Sequence, residues 1–289
     1  DTTPSHPHWF RRTSTGVALS YAALATGWAV VHRIIGDGYW LLALVNAFAV
    51  YLFVPLPIVA LLVPLARRRA AWMALLAVAL LFAALFAGEL TPPPPSVYAG
   101  DDAPSLTVMT YNVLYTVDDP APIAATLAQV EPDLIAFQEL SHPRAQALAQ
   151  IVGQRYPYRT PIAADRCYVQ VAVWSRYPIL DIEAVDPEVT CRVRSVVIDF
   201  HGQRVRVLNV HAWPFTSLDP ESVAQSFAWR EEQADWIRDR FGGQPEPLIL
   251  LGDLNSAPMS EVYATLSASL QDAFTGAGWG FGHTFPARG

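Results

Sequence analysis

The chain is 289 residues long, 52% hydrophobic and only 16% charged, where ordinary soluble domains are about a quarter charged. That composition excludes a disordered chain and argues against a wholly soluble one. All 19 basic residues are arginine, and two cysteines are too few for a disulfide framework or a four-thiolate zinc site. The averages conceal two unlike parts. Residues 1–90 carry six arginines against three acids, whereas the remainder carries 13 basic and 23 acidic residues.

Three apolar stretches dominate the front: residues 16–35, 39–65 and 70–88. Each is long enough to cross the hydrocarbon core of a bilayer as a helix. A cleaved leader accounts for one such segment, not for three. Pro55, Pro57 and Pro64 are expected to kink or fray the later half of the second span. Arg11 and Arg12 precede the first span, and Arg67, Arg68 and Arg69 separate the second from the third. Two crossings divide these clusters, so both fall on one face, which the positive-inside rule makes cytoplasmic. Residues 1–15 then read as a cytoplasmic tail, and residues 16–90 as three transmembrane helices. Everything after Glu89 lies outside the cell, with Arg33 alone pointing the other way. Residues 91–105, including Pro92 to Pro95, form a proline-rich linker that acts as a stiff spacer. On the outer side a Cys167–Cys191 disulfide is permitted, and two buried thiols are the equal alternative.

Beyond the linker, short β-rich runs alternate with helical stretches. Residues 106–111, 134–138, 169–174, 193–200, 205–210 and 248–251 read as strands. Asp119-Pro120 is a cap followed by proline at the first helical position, opening a helix to about Val130. Asp219-Pro220 repeats the device before a helix over 221–240, where Val223, Phe227 and Ile237 mark the inward stripe. Residues 142–154 read as a further helix. Sheets with helices packed outside are the expected arrangement.

Chemistry-bearing residues cluster where the strands end. Asn112 follows the first strand, Glu139 the second, His211 the run to Val210, and Asp253 and Asn255 follow Gly252. Each has a bland reading alone: an Asx turn for Asn112, a helix-start carboxylate near Ser141 for Glu139, a satisfied core histidine for His211. Four strands ending in an acid, an amide or an imidazole are poorly explained that way, because rigid strands ending in loops are where scaffolds present site residues.

Thr110-Tyr111-Asn112-Val113, Gln138-Glu139-Leu140, Asn209-Val210-His211 and Gly252-Asp253-Leu254-Asn255, in this order, resemble the endonuclease/exonuclease/phosphatase family, whose fold is that of DNase I. Trp174-Ser175-Arg176-Tyr177-Pro178 matches a strand and turn that the family carries between its second and third motifs. The resemblance implies an α+β fold, a four-layer α/β/β/α sandwich placed after the three-helix anchor. It also implies metal-dependent hydrolysis of phosphate esters, with Mg²⁺ as cofactor and Mn²⁺ as substitute. On this resemblance Glu139 holds the metal, with Asn112 beside it on the water shell or on a phosphate oxygen. Asp253 orients or deprotonates the attacking water, Asn255 binds the phosphate, and His211 donates to a non-bridging oxygen in the transition state. The family continues into a late strand and an Asp-His pair that the sequence to Gly289 does not include. The domain over 106–289 is therefore expected to be C-terminally incomplete, with the natural chain running on, and His283 to be a loop residue near the site mouth.

Together these readings give a membrane-tethered, extracytoplasmic phosphoesterase acting on a phosphodiester or phosphomonoester, either lipid-linked or a nucleotide. The acidic balance of the domain disfavours tight duplex DNA binding, which depends on basic side chains neutralising phosphates. The alternative is a catalytically incomplete structural or accessory subunit of a larger membrane complex. Other polar residues have plainer expectations. Arg230 and Gln233 are expected on a solvated helix face. Arg192, Arg194, Arg204 and Arg206 form a small basic patch or simply the solvent face of a sheet. Trp213 and Phe215 line the pocket, dip towards lipid or pack in the core.

Overall fold

The computed structural model describes residues 8–92, 103–162, 170–183, 192–214, 217 and 219–284. Cys167, Cys191, Phe215 and most of the proline-rich linker lie outside them. By contacts the chain divides into two compact units, Asp1–Tyr98 together with Ser256–Gly289, and Ala99–Asn255.

Among the described residues the first unit contains three helical segments long and apolar enough to cross a membrane, His8–Ile35, Ala49–Ala66 and Arg69–Leu90. Helix α1 (His8–Ile35) is continuous, and α4 (Arg69–Leu90) likewise. The apolar stretch between them is not. It forms α2 (Trp40–Ala47), a 3₁₀ turn over Ala49–Phe53, and α3 (Leu56–Ala66). Pro55 caps α3 and Pro57 sits in its first turn, where the missing N–H has no intrahelical partner to lose. The helix runs through Pro64 to Ala66. The break thus includes Pro55, in line with the expected kink, whereas the expected fraying is corrected: the later half, Leu56–Ala66, is helical.

Asn46, 1% exposed, explains how a lone amide is tolerated in that apolar setting. Its Nδ2 donates to the Gly36 carbonyl at 3.0 Å and to Asp37 Oδ1 at 2.9 Å, while its Oδ1 accepts from Trp28 Nε1 at 3.0 Å. The second Asp37 oxygen accepts the Glu261 amide at 2.9 Å, at the first residue of a later helix (Glu261–Ser267). Trp279 Nε1 donates to the Leu90 carbonyl at 2.9 Å, and Phe281 meets Phe86 edge-on at 5.8 Å. Met259 and Phe281 complete a cluster built on Ala25, Phe53, Val78 and Phe86.

Among its described residues the second unit holds two four-stranded sheets. In the first, β1 (Val108–Asn112) pairs in parallel with β2 (Leu134–Leu140), which pairs antiparallel with β4 (Gln170–Ser175), and β4 with the short β3 (Tyr158–Arg159). In the second, β5 (Ile179–Ile182), β6 (Val193–Phe200) and β7 (Gln203–His211) run antiparallel in order, and β8 (Leu248–Asp253) pairs in parallel with β7. Leu134 and Val173 from one sheet meet Val196, Ile198, Val205 and Val207 from the other in the interior. Outside the first sheet, Ile123 and Leu127 of α5 (Ala121–Val130) and Leu148 of α6 (His142–Val152) pack on Ile135, Phe137 and Trp174. On the second sheet, Phe241 of α7 (Pro220–Phe241) lies under Arg206. Near-continuous burial of β2, β4 and β6 matches strands covered on both faces.

Asp219 caps α7 through the Ser222 amide at 2.9 Å, as its sequence position implies. The hydroxyl of Ser217 and the Ser222 amide also hold its carboxyl down at about 2. Among the described residues two helices follow β8: α8, the Glu261–Ser267 helix, and α9 (Ala273–Ala277).

Candidate active site

The two parallel strand pairs bring the chemistry together. In register, Asn112 faces Gln138 across β1 and β2, and His211 faces Asp253 across β7 and β8. The sheets are joined by Asn209, which is fully buried. Its Nδ2 donates to the Phe137 and Ala172 carbonyls at 2.8 and 2.9 Å, and its Oδ1 accepts from Gln138 Nε2 at 2.7 Å.

The register of β2 slips between Phe137 and Leu140, and Glu139 within that slip has φ 58°. A bulge of this kind turns a side chain that regular pleating would send elsewhere, and left-handed backbone at a non-glycine residue costs about 1–3 kcal/mol. Asn255 shares the feature at φ 47°. Gly252 has φ 153°, and a Cβ there would stand 2.0 Å from the Val210 carbonyl oxygen. Only glycine lets β8 lie this close to β7 and deliver Asp253 beside His211.

Asn112 is the hub. Its Nδ2 donates to Glu139 Oε1 and to Asp253 Oδ2, both at 2.9 Å, and its Oδ1 accepts the Leu114 amide at 3.0 Å. The amide nitrogen therefore faces the carboxylates and bridges the two acids, while the oxygen turns to the Leu114 amide. Glu139 Oε2 accepts the Tyr115 amide at 3.0 Å. The segment carrying that amide is clamped by Arg144 of α6, 2% exposed, which donates to the carbonyls of Val113, Leu114 and Tyr115 at 2.9–3.1 Å.

His211 is 6% exposed, with Nε2 at 3.6 Å from Glu139 Oε1 and no hydrogen-bond partner among the described residues. Burial lowers its pKa first and the Arg192 charge lowers it further, while Asp253 and Glu139 pull it up. The imidazole is thus neutral near pH 7. Asp253 Oδ1 accepts the Asn255 amide at 3.0 Å, and Asn255 Nδ2 donates to the Ala212 carbonyl at 2.9 Å. Through its Nδ2 the Asn255 side chain braces the strand end beside His211.

Arg230 overturns its expected place on a solvated face. It is 2% exposed, lies over Phe227 and donates to the Asn255 carbonyl and to Ser226. Nor do the four strand arginines form one patch. Arg204 and Arg206 point away from the interior and pair with Glu246 and Glu183. Arg192 and Arg194 occupy the opposite face, with Arg194 across from Asn209. Trp213 carries Arg192 on its face at 3.6 Å. His283 stacks on Phe281 at 5.7 Å and on Tyr51 at 6.5 Å.

Among the described residues no three His, Cys, Asp or Glu side chains gather at metal-ligand spacing. What converges is two carboxylates, an amide and a bare imidazole nitrogen. Hard oxygen donors in small number fit Mg²⁺, which keeps several waters and takes one or two carboxylates; they do not fit a closed zinc site.

The profile of the endonuclease/exonuclease/phosphatase family matches residues 109–289, well over half of the chain. The chain belongs to this family. Solved structures of similar fold include a sphingomyelinase C from Streptomyces griseocarneus (23% identity, 58% of this chain and 70% of that one, TM-score 0.46). A hairpin-deletion mutant of beta toxin from Staphylococcus aureus is 19% identical over 58% of this chain and 74% of that one, with TM-score 0.45. A humanized D. rerio TDP2 is 20% identical over 52% and 62%, with TM-score 0.44. No curated protein sequence matches. The four family motifs all lie in the Ala99–Asn255 unit, while the matched region continues through the Ser256–Gly289 segment that belongs to the helical unit.

Proposed function

We propose that the protein is a membrane-tethered, Mg²⁺-dependent phosphoesterase whose family domain, residues 106–289, is held on the extracytoplasmic face. The observation that carries this reading is Asn112 donating to Glu139 and Asp253 at once, with the unpartnered His211 Nε2 alongside. Glu139 holds the cation together with water; Mn²⁺ suits the same oxygen donors. When bound, the cation neutralises charge developing on the phosphoryl oxygens. Asp253 accepts a proton from the attacking water, and Asn112 holds the two acids apart from one another's charge. The neutral His211 ring, in the tautomer that carries its proton on Nε2, donates to a phosphoryl oxygen. Asn255 and Arg230 keep the Asp253 loop in place. The five arginines flanking the spans support the outward orientation, and residues 91–105 act as the spacer. The substrate is a lipid-linked or nucleotide phosphate ester.

The test is hydrolysis of bis(p-nitrophenyl) phosphate and p-nitrophenyl phosphate by the full chain in detergent. Turnover in Mg²⁺ that is lost in EDTA, and lost in Glu139→Ala, supports the reading. Wild-type protein inert towards both in Mg²⁺ and Mn²⁺ overturns it and leaves the accessory-subunit reading standing.

A further inference from the structure

Beside His211 the structure carries a feature that phosphate hydrolysis as such does not use. The Arg192 guanidinium lies over the Trp213 indole, 3.6 Å from the ring centroid. Trp229 of α7 packs on the same indole at 4.5 Å and 40°. With Ser222 and Gln225 these side chains line an open recess of about 330 Å³. It begins one peptide from the catalytic residues, since the Arg192 carbonyl accepts the His211 amide at 2.7 Å. Trp229 keeps 38% of its surface exposed.

Arg192 is a partly buried cation whose flat face stacks on Trp213, and among the described residues its guanidinium makes no hydrogen bond. Among the described residues no carboxylate comes within 4.0 Å of it, in contrast to Arg204 and Arg206 on the other face of the sheet. Burial has lowered its pKa, with Glu139 opposing. An arginine held this way presents fixed donors to an arriving oxyanion. Two indoles alone would suit a quaternary ammonium group, but the fixed charge of Arg192 repels one. Glu221, the acid on the recess, is exposed to solvent.

The geometry points to this recess as the seat of the substituent that stays on the phosphate: a flat group, uncharged or anionic, lying against Trp229 with a phosphate oxygen on the Arg192 edge, and not a quaternary ammonium head group. The assignment rests on the phosphoesterase reading and narrows its substrate class to esters whose retained group is planar and not cationic. Gln225 and Ser222 supply hydrogen bonds to the edge of such a group.

Calorimetric titration of the full chain in detergent, with EDTA present, separates binding from turnover. The probes are phenyl phosphate and phosphocholine, which share the phosphate and differ in the substituent. Phenyl phosphate binds about tenfold tighter, in line with the strength of ring stacking on aromatic side chains. Arg192→Gln weakens phenyl phosphate and narrows the gap, and Trp229→Ala closes it from the phenyl side, both in variants that melt like wild type. Equal affinities in wild type, no binding of either probe, or a ratio unchanged in both variants overturns the assignment. A preserved ratio in a protein that hydrolyses neither nitrophenyl ester leaves the recess standing and sinks the phosphoesterase reading instead.

Discussion

Asn209 donates to the Phe137 carbonyl at 2.8 Å across the interior, so the strand that ends in His211 is fastened to the strand that leads into Glu139. With Ala172 and Gln138 as its other partners, this one amide satisfies three buried groups. Asn209→Leu keeps the volume and removes every partner. The expected loss is about 3 kcal/mol, because each orphaned buried group costs about 1–3 kcal/mol. Denaturant unfolding in detergent measures it, and a loss below about 0.5 kcal/mol contradicts the role.

Removing the hub acts on turnover rather than on the fold. Asn112→Ala leaves Glu139 and Asp253 facing each other without the donor they share. The turnover number is expected to fall on the order of a hundredfold, the scale seen when a preorganised donor is deleted from an active site. Steady-state kinetics should show KM changing much less than kcat.

Arg144 positions Glu139 through the backbone it clamps. Arg144→Met strands the carbonyls of Val113, Leu114 and Tyr115, at a cost of about 2 kcal/mol. Hydrogen exchange at the Tyr115 amide should accelerate. Arg144→Lys recovers only part of the effect, since one ammonium lacks the fork that reaches three carbonyls.

His211 gives the stability a pH dependence of definite sign. Its pKa in the folded protein lies below the ordinary 6.5, so the unfolded chain binds a proton that the folded chain refuses. The contribution is fully present above pH 6.5 and is lost as the pH falls below it. Thermal melts of wild type should decline through this window more steeply than those of His211→Gln. Identical slopes would show that another group titrates there.

The family and the five candidate residues were legible because each motif sits at a strand end, and parallel pairing brings strand ends together. Their division of labour was not. Asn112 turns its nitrogen to the acids because the Leu114 amide takes its oxygen, a choice made by a loop and invisible in spacing. Arg144 and Arg230 were missed because helix patterning assigns arginine to solvent, yet both lie on helices that cover a site whose carbonyls need donors. An amide inside the apolar run Val205–Val210 was the available clue to Asn209. Strands β3 and β5 span two and four residues and are largely exposed, too short to show a periodic pattern. The break in the second apolar stretch follows Asn46, whose hydrogen bonds join residues nine and ten positions away.

Asp37 accepts the first amide of the Glu261–Ser267 helix, and Met259 and Phe281 fill a cluster of the apolar helices. The family region is therefore not separable at the proline run by simple excision. A soluble fragment beginning after residue 92 would carry a greasy segment with its cover removed, and would be prone to clump through Met259, Trp279 and Phe281. Preparing the protein for any assay calls for detergent or lipid from the outset.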